Sequence, residues 1–378
     1  MLNRDLEKIN LWATKWKITF NADKSRDIIF SNKLLNNSPP VILNNEMISR
    51  VNTHKHLGLY LTSSLDWSQH LNYICLRAHR KLAVLRSVKN LQRSTLDLLY
   101  KITVRSVLDY GLFIFYHTLT QVQMSKLDKI QYSAAKLVTS TLHYTSKDKL
   151  FAELGWESIK QRADYLGLTL YHKIHCKQTR PLISYCMPEL LARPQNLRSD
   201  KVYQQLHVTG MKFRNSFFLY MPRLWNKLPK NVKSMNIDDF KLYLKEEVKP
   251  KRRKFYSKGN KFKCSLLTRI RVDRSYLNEH GFSINLNESP ACKNCICPRE
   301  NSIHFICYCP KYNELRNILF TKMEEFIPKF HQLSKKRQYE ILVFGYDPDN
   351  IELDKINTKI MYLTQNFIYD TKRFISST

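Results

Sequence analysis

For a long stretch after Asp66 the apolar residues of this chain return every three or four positions, and that spacing commits most of it to helices packed on one another. Leu71, Ile74, Ala78, Leu82 and Leu85 form one such stripe, with Asp66 placed to cap its start. Ser94 or Thr95 opens the next, which carries Leu98, Ile102 and Leu108. Leu127, Ile130, Ala134 and Leu137 mark a third, and Ile159 through Ile174 a fourth. After an irregular stretch from about Cys186 to Phe218 and the segment Trp225-Asn226-Lys227-Leu228-Pro229, a further helix is expected to begin near Asp238-Asp239-Phe240.

Ahead of Asp66 the pattern is shorter. Leu2, Leu6, Ile9, Trp12 or Ala13, and Trp16 keep helical spacing with charges between them, so the chain opens with an amphipathic helix whose apolar face needs a partner. Lys17-Ile18-Thr19-Phe20 and Asp27-Ile28-Ile29-Phe30 read as short strands around Asn21-Ala22-Asp23-Lys24, and Val41-Ile42-Leu43 with Met47-Ile48 as a hairpin around Asn44-Asn45. His54 to Leu61 reads as one strand with Gly58 inside it, where the missing side chain permits a bulge or a close backbone approach. Trp12, Trp16, Trp67, Trp156 and Trp225 sit among apolar neighbours and are expected in the core. The fold class is mainly α, formally α+β: a small α/β hairpin unit over residues 1–63, a helical domain over 64–180, a connector with a basic linker over 181–264, and a helical C-terminal domain over 265–378.

Lys and Arg outnumber Asp and Glu by 62 to 32, a net charge of +30, and such a surplus marks a chain that meets a polyanion. RNA or DNA is the expected partner. No apolar run approaches the roughly 20 residues of a membrane span, and the first residues lack a signal-peptide core, so the expected location is nucleus or cytoplasm, with no membrane partner. Of eight glycines no two are spaced as G-x-G, which excludes a dinucleotide fingerprint, and no P-loop is present. From Lys249 to Lys263 eight of fifteen residues are basic. Lys251, Arg252, Arg253, Lys254, Lys258, Lys261 and Lys263, interleaved with Phe255, Tyr256 and Phe262, suit phosphate contact plus base stacking, and the run reads as a linker or phosphate-facing loop. A nuclear-import signal could use the same residues.

Five of the nine cysteines fall between Cys292 and Cys309, a clustering that suits a metal site better than a disulfide framework. Cys292, Cys295, His304 and Cys309 offer three thiolates and one imidazole, the closed shell of a structural zinc ion, Zn2+. Cys297 and Cys307 are alternates that could replace Cys295 or Cys309. A zinc deaminase would also need His-x-Glu or Cys-x-Glu, and neither occurs.

The order of these motifs resembles the non-LTR, LINE-type retrotransposon reverse transcriptases, especially their jockey-like branch, over essentially the whole chain. Leu2-Asn3-Arg4-Asp5-Leu6 with Trp12 and Trp16, then Phe20-Asn21-Ala22-Asp23-Lys24-Ser25, looks like the palm helix and following motif just downstream of that family's catalytic Asp-Asp. His56-Leu57-Gly58-Leu59 is similar to its primer-grip strand, which implies nucleic-acid contact at Gly58. Leu108-Asp109-Tyr110-Gly111, Leu154-Gly155-Trp156, Ser216-Phe217-Phe218 and Trp225-Asn226-Lys227-Leu228-Pro229 look like its thumb and connector signposts, and the cysteine cluster followed by Pro310-Lys311-Tyr312 like its C-terminal zinc knuckle. On this resemblance residues 1–63 are a palm remnant and 64–180 the thumb.

Reverse transcriptases transfer nucleotides through metal ions held by three carboxylates, two of them in a Tyr/Phe-x-Asp-Asp turn, and no such tetrapeptide occurs here. Asp238-Asp239 reads as a helix N-terminus. The family's order would place the missing aspartates ahead of Met1, so Mg2+ is expected only if the missing palm is supplied. Lys24 matches the family's motif-D lysine, a catalytic role that needs a pyrophosphate to protonate. The resemblance thus implies a nucleic-acid-binding fragment of an RNA-directed DNA polymerase, holding template-primer duplex and target DNA and inactive alone. Two alternatives stay open: a truncated or partner-completed active polymerase, and a genomic relic that folds poorly.

Overall fold

In a computed structural model, residues 2–31, 39–142, 144–179, 183, 186, 203, 208–248 and 253–374 are described. The chain is mainly helical, with few short strands, and divides into two compact units: Met1–Arg77 with Leu119–Met124, and Ala78–Thr118 with Ser125–Thr378.

In the first unit the helical spacing at the N-terminus produces the helix Leu2–Lys15. It ends because Lys17 takes a left-handed φ of 55° and the Ile18 N–H returns to the Ala13 carbonyl, a six-residue closing turn. Ala13 is fully buried, and Leu6 and Phe20 pack on Val41, Leu43 and Ile48. The rest of the apolar stripe is open: Trp12 and Trp16 are 54% and 63% exposed, against the expectation of core tryptophans. A core of three buried residues is too narrow to cover a four-turn helix.

Lys17 to Phe20 is not a strand. Asn21 instead caps a 3-10 turn, Ala22–Lys24, by accepting the Lys24 N–H, and only Arg26–Asp27 extends, pairing in parallel with Ser49–Arg50. The hairpin at Asn44-Asn45 forms as expected, Ile42–Leu43 against Glu46–Met47, with both asparagines left-handed at 54° and 63°. His54 to Leu61 is two strands, not one. Thr53–His56 pairs antiparallel with Leu59–Thr62, and the chain reverses through Leu57 at φ 45° and Gly58 at 85°. Glycine suits this place because a tight hairpin requires positive φ.

The Ser68–Ser87 helix starts where Asp66 accepts the Ser68 N–H at 2.7 Å, and Leu71, Ile74, Ala78, Leu82 and Leu85 are all buried. In the second unit the next helix, Arg93–Leu99, is not capped by Ser94 or Thr95, which lie inside it; Gln92 precedes it. It runs on as a wide turn, Tyr100–Arg105, and a last piece, Ser106–Asp109. Leu96, Tyr100, Val104 and Leu108, four apart, are fully buried, while Leu98 and Ile102 are exposed. A strict four-residue column drifts around an ordinary helix, and the widened turn keeps it facing the core. Tyr100 stacks on buried Trp156 with ring centroids 4.1 Å apart, and the Trp156 indole donates to Asp97 at 2.7 Å.

Gln121–Thr139 buries Leu127, Ile130 and Ala134, whereas Leu137 is only half-buried. Ile159–His175 is held at its start by Ser158 and Gln161 in a capping box. Leu168 and Tyr171 from this helix meet Met221 and Trp225 of Phe217–Lys227 and Phe240 and Leu244 of Ile237–Val248 in one cluster. A second and larger core gathers Leu266 and Ile270 of Lys261–Arg271, Leu319 of Asn313–Glu324, Leu342 of Lys335–Phe344 and Ile360 and Phe367 of Asp354–Asp370 around Phe305. The stretch read as irregular, from Cys186 on, lies mostly outside the described residues up to 207.

Candidate metal centre

Cys292 and Cys295 lie on a loop closed by the Cys292 N–H, which donates to the Cys297 carbonyl at 3.0 Å. His304 and Cys309 stand at the two ends of a wide helical turn, His304–Tyr308, in which the Cys309 N–H returns to the His304 carbonyl at 2.8 Å. In an ordinary α-helix residues five apart point in different directions, and the widened turn swings them to one side. The four ligand atoms all lie within 4.8 Å of one another. The Cys292 and Cys309 sulfurs are 3.9 Å apart, and Cys295 Sγ is 3.4 Å from His304 Nε2. Two zinc–sulfur bonds in a tetrahedron would separate their sulfurs by about 3.8 Å, and a sulfur and an imidazole nitrogen by about 3.5 Å. The donor set and its spacing fit a four-coordinate metal with no open position.

Cys297 and Cys307 stand outside this group. Cys297 donates its thiol to the Arg299 carbonyl, and Cys307 is buried in the core, where desolvation pushes its thiol up to about 11. Burial also pushes the Cys309 thiol up to about 11, with the neighbouring cysteines adding to the rise. A bound cation would offset that cost of charging it.

The centre is braced by residues that sequence reading does not single out. Glu300 is 1% exposed and forms a paired-oxygen bridge with Arg373, at 2.8 and 2.6 Å, while accepting the Asn278 N–H. The Asn278 side chain in turn holds the Ala291 carbonyl, next to Cys292, at 2.6 Å. Arg316 donates to the Ile306 and Cys309 carbonyls and so fixes the turn that presents the last ligand. The only sequence signal for these is a charged residue beside the cysteine cluster.

The remaining candidates are scattered. Lys24 is exposed at the end of its 3-10 turn. Gly58 sits in the hairpin turn, and on the strand before it Lys55 bonds the Tyr73 hydroxyl at 3.0 Å and lies 4.4 Å from the Tyr73 ring centre. Asp238 and Asp239 donate their N–H groups to Asn236, so this pair opens a helix as expected. Of the basic run, Lys251 and Arg252 lie outside the described residues. The described part is not a loose linker. Phe255 and Tyr256 are buried in a 3-10 turn, Arg253 bonds Tyr256 and Asp349, and Lys263 bonds Asn366. Lys254 and Lys258 are exposed, Lys261 is partly covered, and Phe262 alone of the three aromatics is open, at 47%. Among the described residues no helix is long and apolar enough to cross a membrane.

The chain is similar to polymerases of mobile elements. It is 31% identical over 70 residues to the RNA-directed DNA polymerase from mobile element jockey of Drosophila funebris, covering 18% of this chain and 8% of that relative. It is 27% identical over 147 residues to the probable RNA-directed DNA polymerase from transposon X-element of Drosophila melanogaster, 38% of this chain and 16% of the relative. With the Retrovirus-related Pol polyprotein from type-1 retrotransposable element R1 of Bradysia coprophila it shares 25% identity over 168 residues, 41% of this chain and 16% of the relative. The chain thus matches less than a fifth of the length of each of these proteins. No family model and no solved structure matches it.

Proposed function

We propose that this chain is the nucleic-acid-binding part of a non-LTR retrotransposon RNA-directed DNA polymerase, that it holds RNA and DNA, including template-primer duplex and target DNA, and that it does not polymerise alone. The similarity to the jockey, X-element and R1 proteins carries this reading. The net charge of +30 supports it, as does a Cys3His quartet that we assign to structural zinc. No Tyr/Phe-x-Asp-Asp occurs to hold catalytic Mg2+, so Lys24 has no metal site beside it in sequence, and nucleotide transfer would need aspartates from elsewhere. The nucleus or cytoplasm is the expected place of action.

Binding should be sequence-tolerant and dominated by phosphate contacts. Fluorescence anisotropy with labelled single strands and duplexes, repeated from low to high salt, should give affinity falling steeply and log-linearly with salt, roughly 0.7 per neutralised phosphate on single strands. A flat salt response would sink the proposal. Primer extension by the same preparation should show no incorporation, and template-dependent incorporation would overturn the inactive half of the reading.

A further inference from the structure

A second basic feature lies outside the metal centre and joins the end of the linear basic run, Lys261 and Phe262, to cations distant from it in sequence. In the second unit the turn after the Ser68–Ser87 helix, the C-terminal end of Gln121–Thr139 and one side of Lys261–Arg271 enclose a cleft of about 550 Å3. Four cationic side chains line it, Lys89, Lys136, Lys261 and Arg269, with no carboxylate among the lining residues. Lys89 and Lys261 have no ion pair with a described carboxylate. Partial burial, and secondarily the nearby charge of Lys89, hold Lys261 below its usual range. Arg269 donates to the Ser140 carbonyl at 3.3 and 3.1 Å, which neutralises the partial negative charge of the helix end that would otherwise repel an anion. The Phe262 ring, 47% exposed, stands on the rim, anchored edge-to-face against Tyr369.

We propose that this cleft binds one unpaired nucleotide of a single-stranded nucleic acid, its phosphate between Lys89, Lys261 and Arg269 and its base stacked on Phe262. The volume suits one nucleotide-sized group and not a duplex. Cations without acidic partners supply a phosphate site, and an open ring beside them supplies a sequence-tolerant platform for the base. The inference rests on the reading of the chain as a nucleic-acid binder and deepens it by naming a site.

The test uses the full chain with labelled 12-mers of oligo(U) and oligo(dT), and compares K89Q/K261Q, F262A and the remote control K336Q, each checked for an unchanged melting curve. K89Q/K261Q should bind roughly ten- to a hundredfold more weakly, with the salt slope reduced by about 1.4. F262A should lose roughly tenfold on both oligonucleotides while competition by inorganic phosphate is unchanged. K89R/K261R, which keeps both charges, should bind as the parent does and guards against a folding artefact. A preference between the two 12-mers tells RNA from DNA at the site. If the parent binds and the cleft variants match K336Q, the cleft is wrong and the broader proposal stands. If the parent binds neither oligonucleotide, both fall.

Discussion

Cys309 is buried at 1% exposure, where a bound cation would offset the cost of charging its thiol, so its substitution separates a metal ligand from an ordinary buried thiol. Cys309→Ser and Cys292→Ser should release the metal, about one zinc per chain in a colorimetric chelator assay, and lower the melting temperature to that of the chelated parent. Cys297→Ser and Cys307→Ala should retain it. The reverse pattern would move the quartet onto the alternates. These four ligands were legible because they lie within eighteen consecutive positions and carry their chemistry in their residue types. Their brace was not, because Arg373 reaches Glu300 across 73 residues and nothing local marks either as the other's partner.

At the scale of an element, backbone conformation decides what periodicity leaves open. Leu57 is 76% exposed and left-handed, a conformation that costs a residue with a β-carbon about 1–2 kcal/mol. Leu57→Asn should stabilise the Thr53–His56 and Leu59–Thr62 hairpin by about 0.5–1 kcal/mol, read as a raised denaturation midpoint at unchanged m-value. The hairpin was hidden in the sequence because Leu57 looks like a strand residue and only the glycine hinted at the turn. Helices fared better, as the Leu71-to-Leu85 stripe shows. The phase of Arg93–Leu99 is less legible, since its widened continuation departs from the period of an ordinary α-helix. Periodicity also identifies an apolar face without saying what covers it, which is why Trp12 and Trp16 were expected in a core that does not reach them.

Among the described residues of the second unit, Glu153 gathers two arginines onto one buried carboxylate. Its carboxylate accepts from Arg93 at 2.8 Å, from Arg271 at 2.6 and 2.9 Å and from Thr268 at 3.0 Å, all in the interior. Desolvation works against its charge, but Arg271 and Arg93 outweigh it and hold the carboxyl below its usual range. Glu153→Gln leaves two buried guanidinium groups uncompensated and should cost about 3–5 kcal/mol in chemical denaturation. A depressed carboxyl stabilises the fold fully above its unfolded value of about 4.3 and loses that contribution as pH falls through the folded value. The parent should therefore lose stability in acid below that point, with a smaller loss in Glu153→Gln. The bridge also imposes an order on synthesis. Arg271 follows Glu153 by 118 residues, so at roughly 5–20 residues per second the ribosome needs roughly 6–24 s to deliver the second arginine. Until then Arg93 alone can pair with the acid, and the complete bridge closes only after the C-terminal part of the chain arrives.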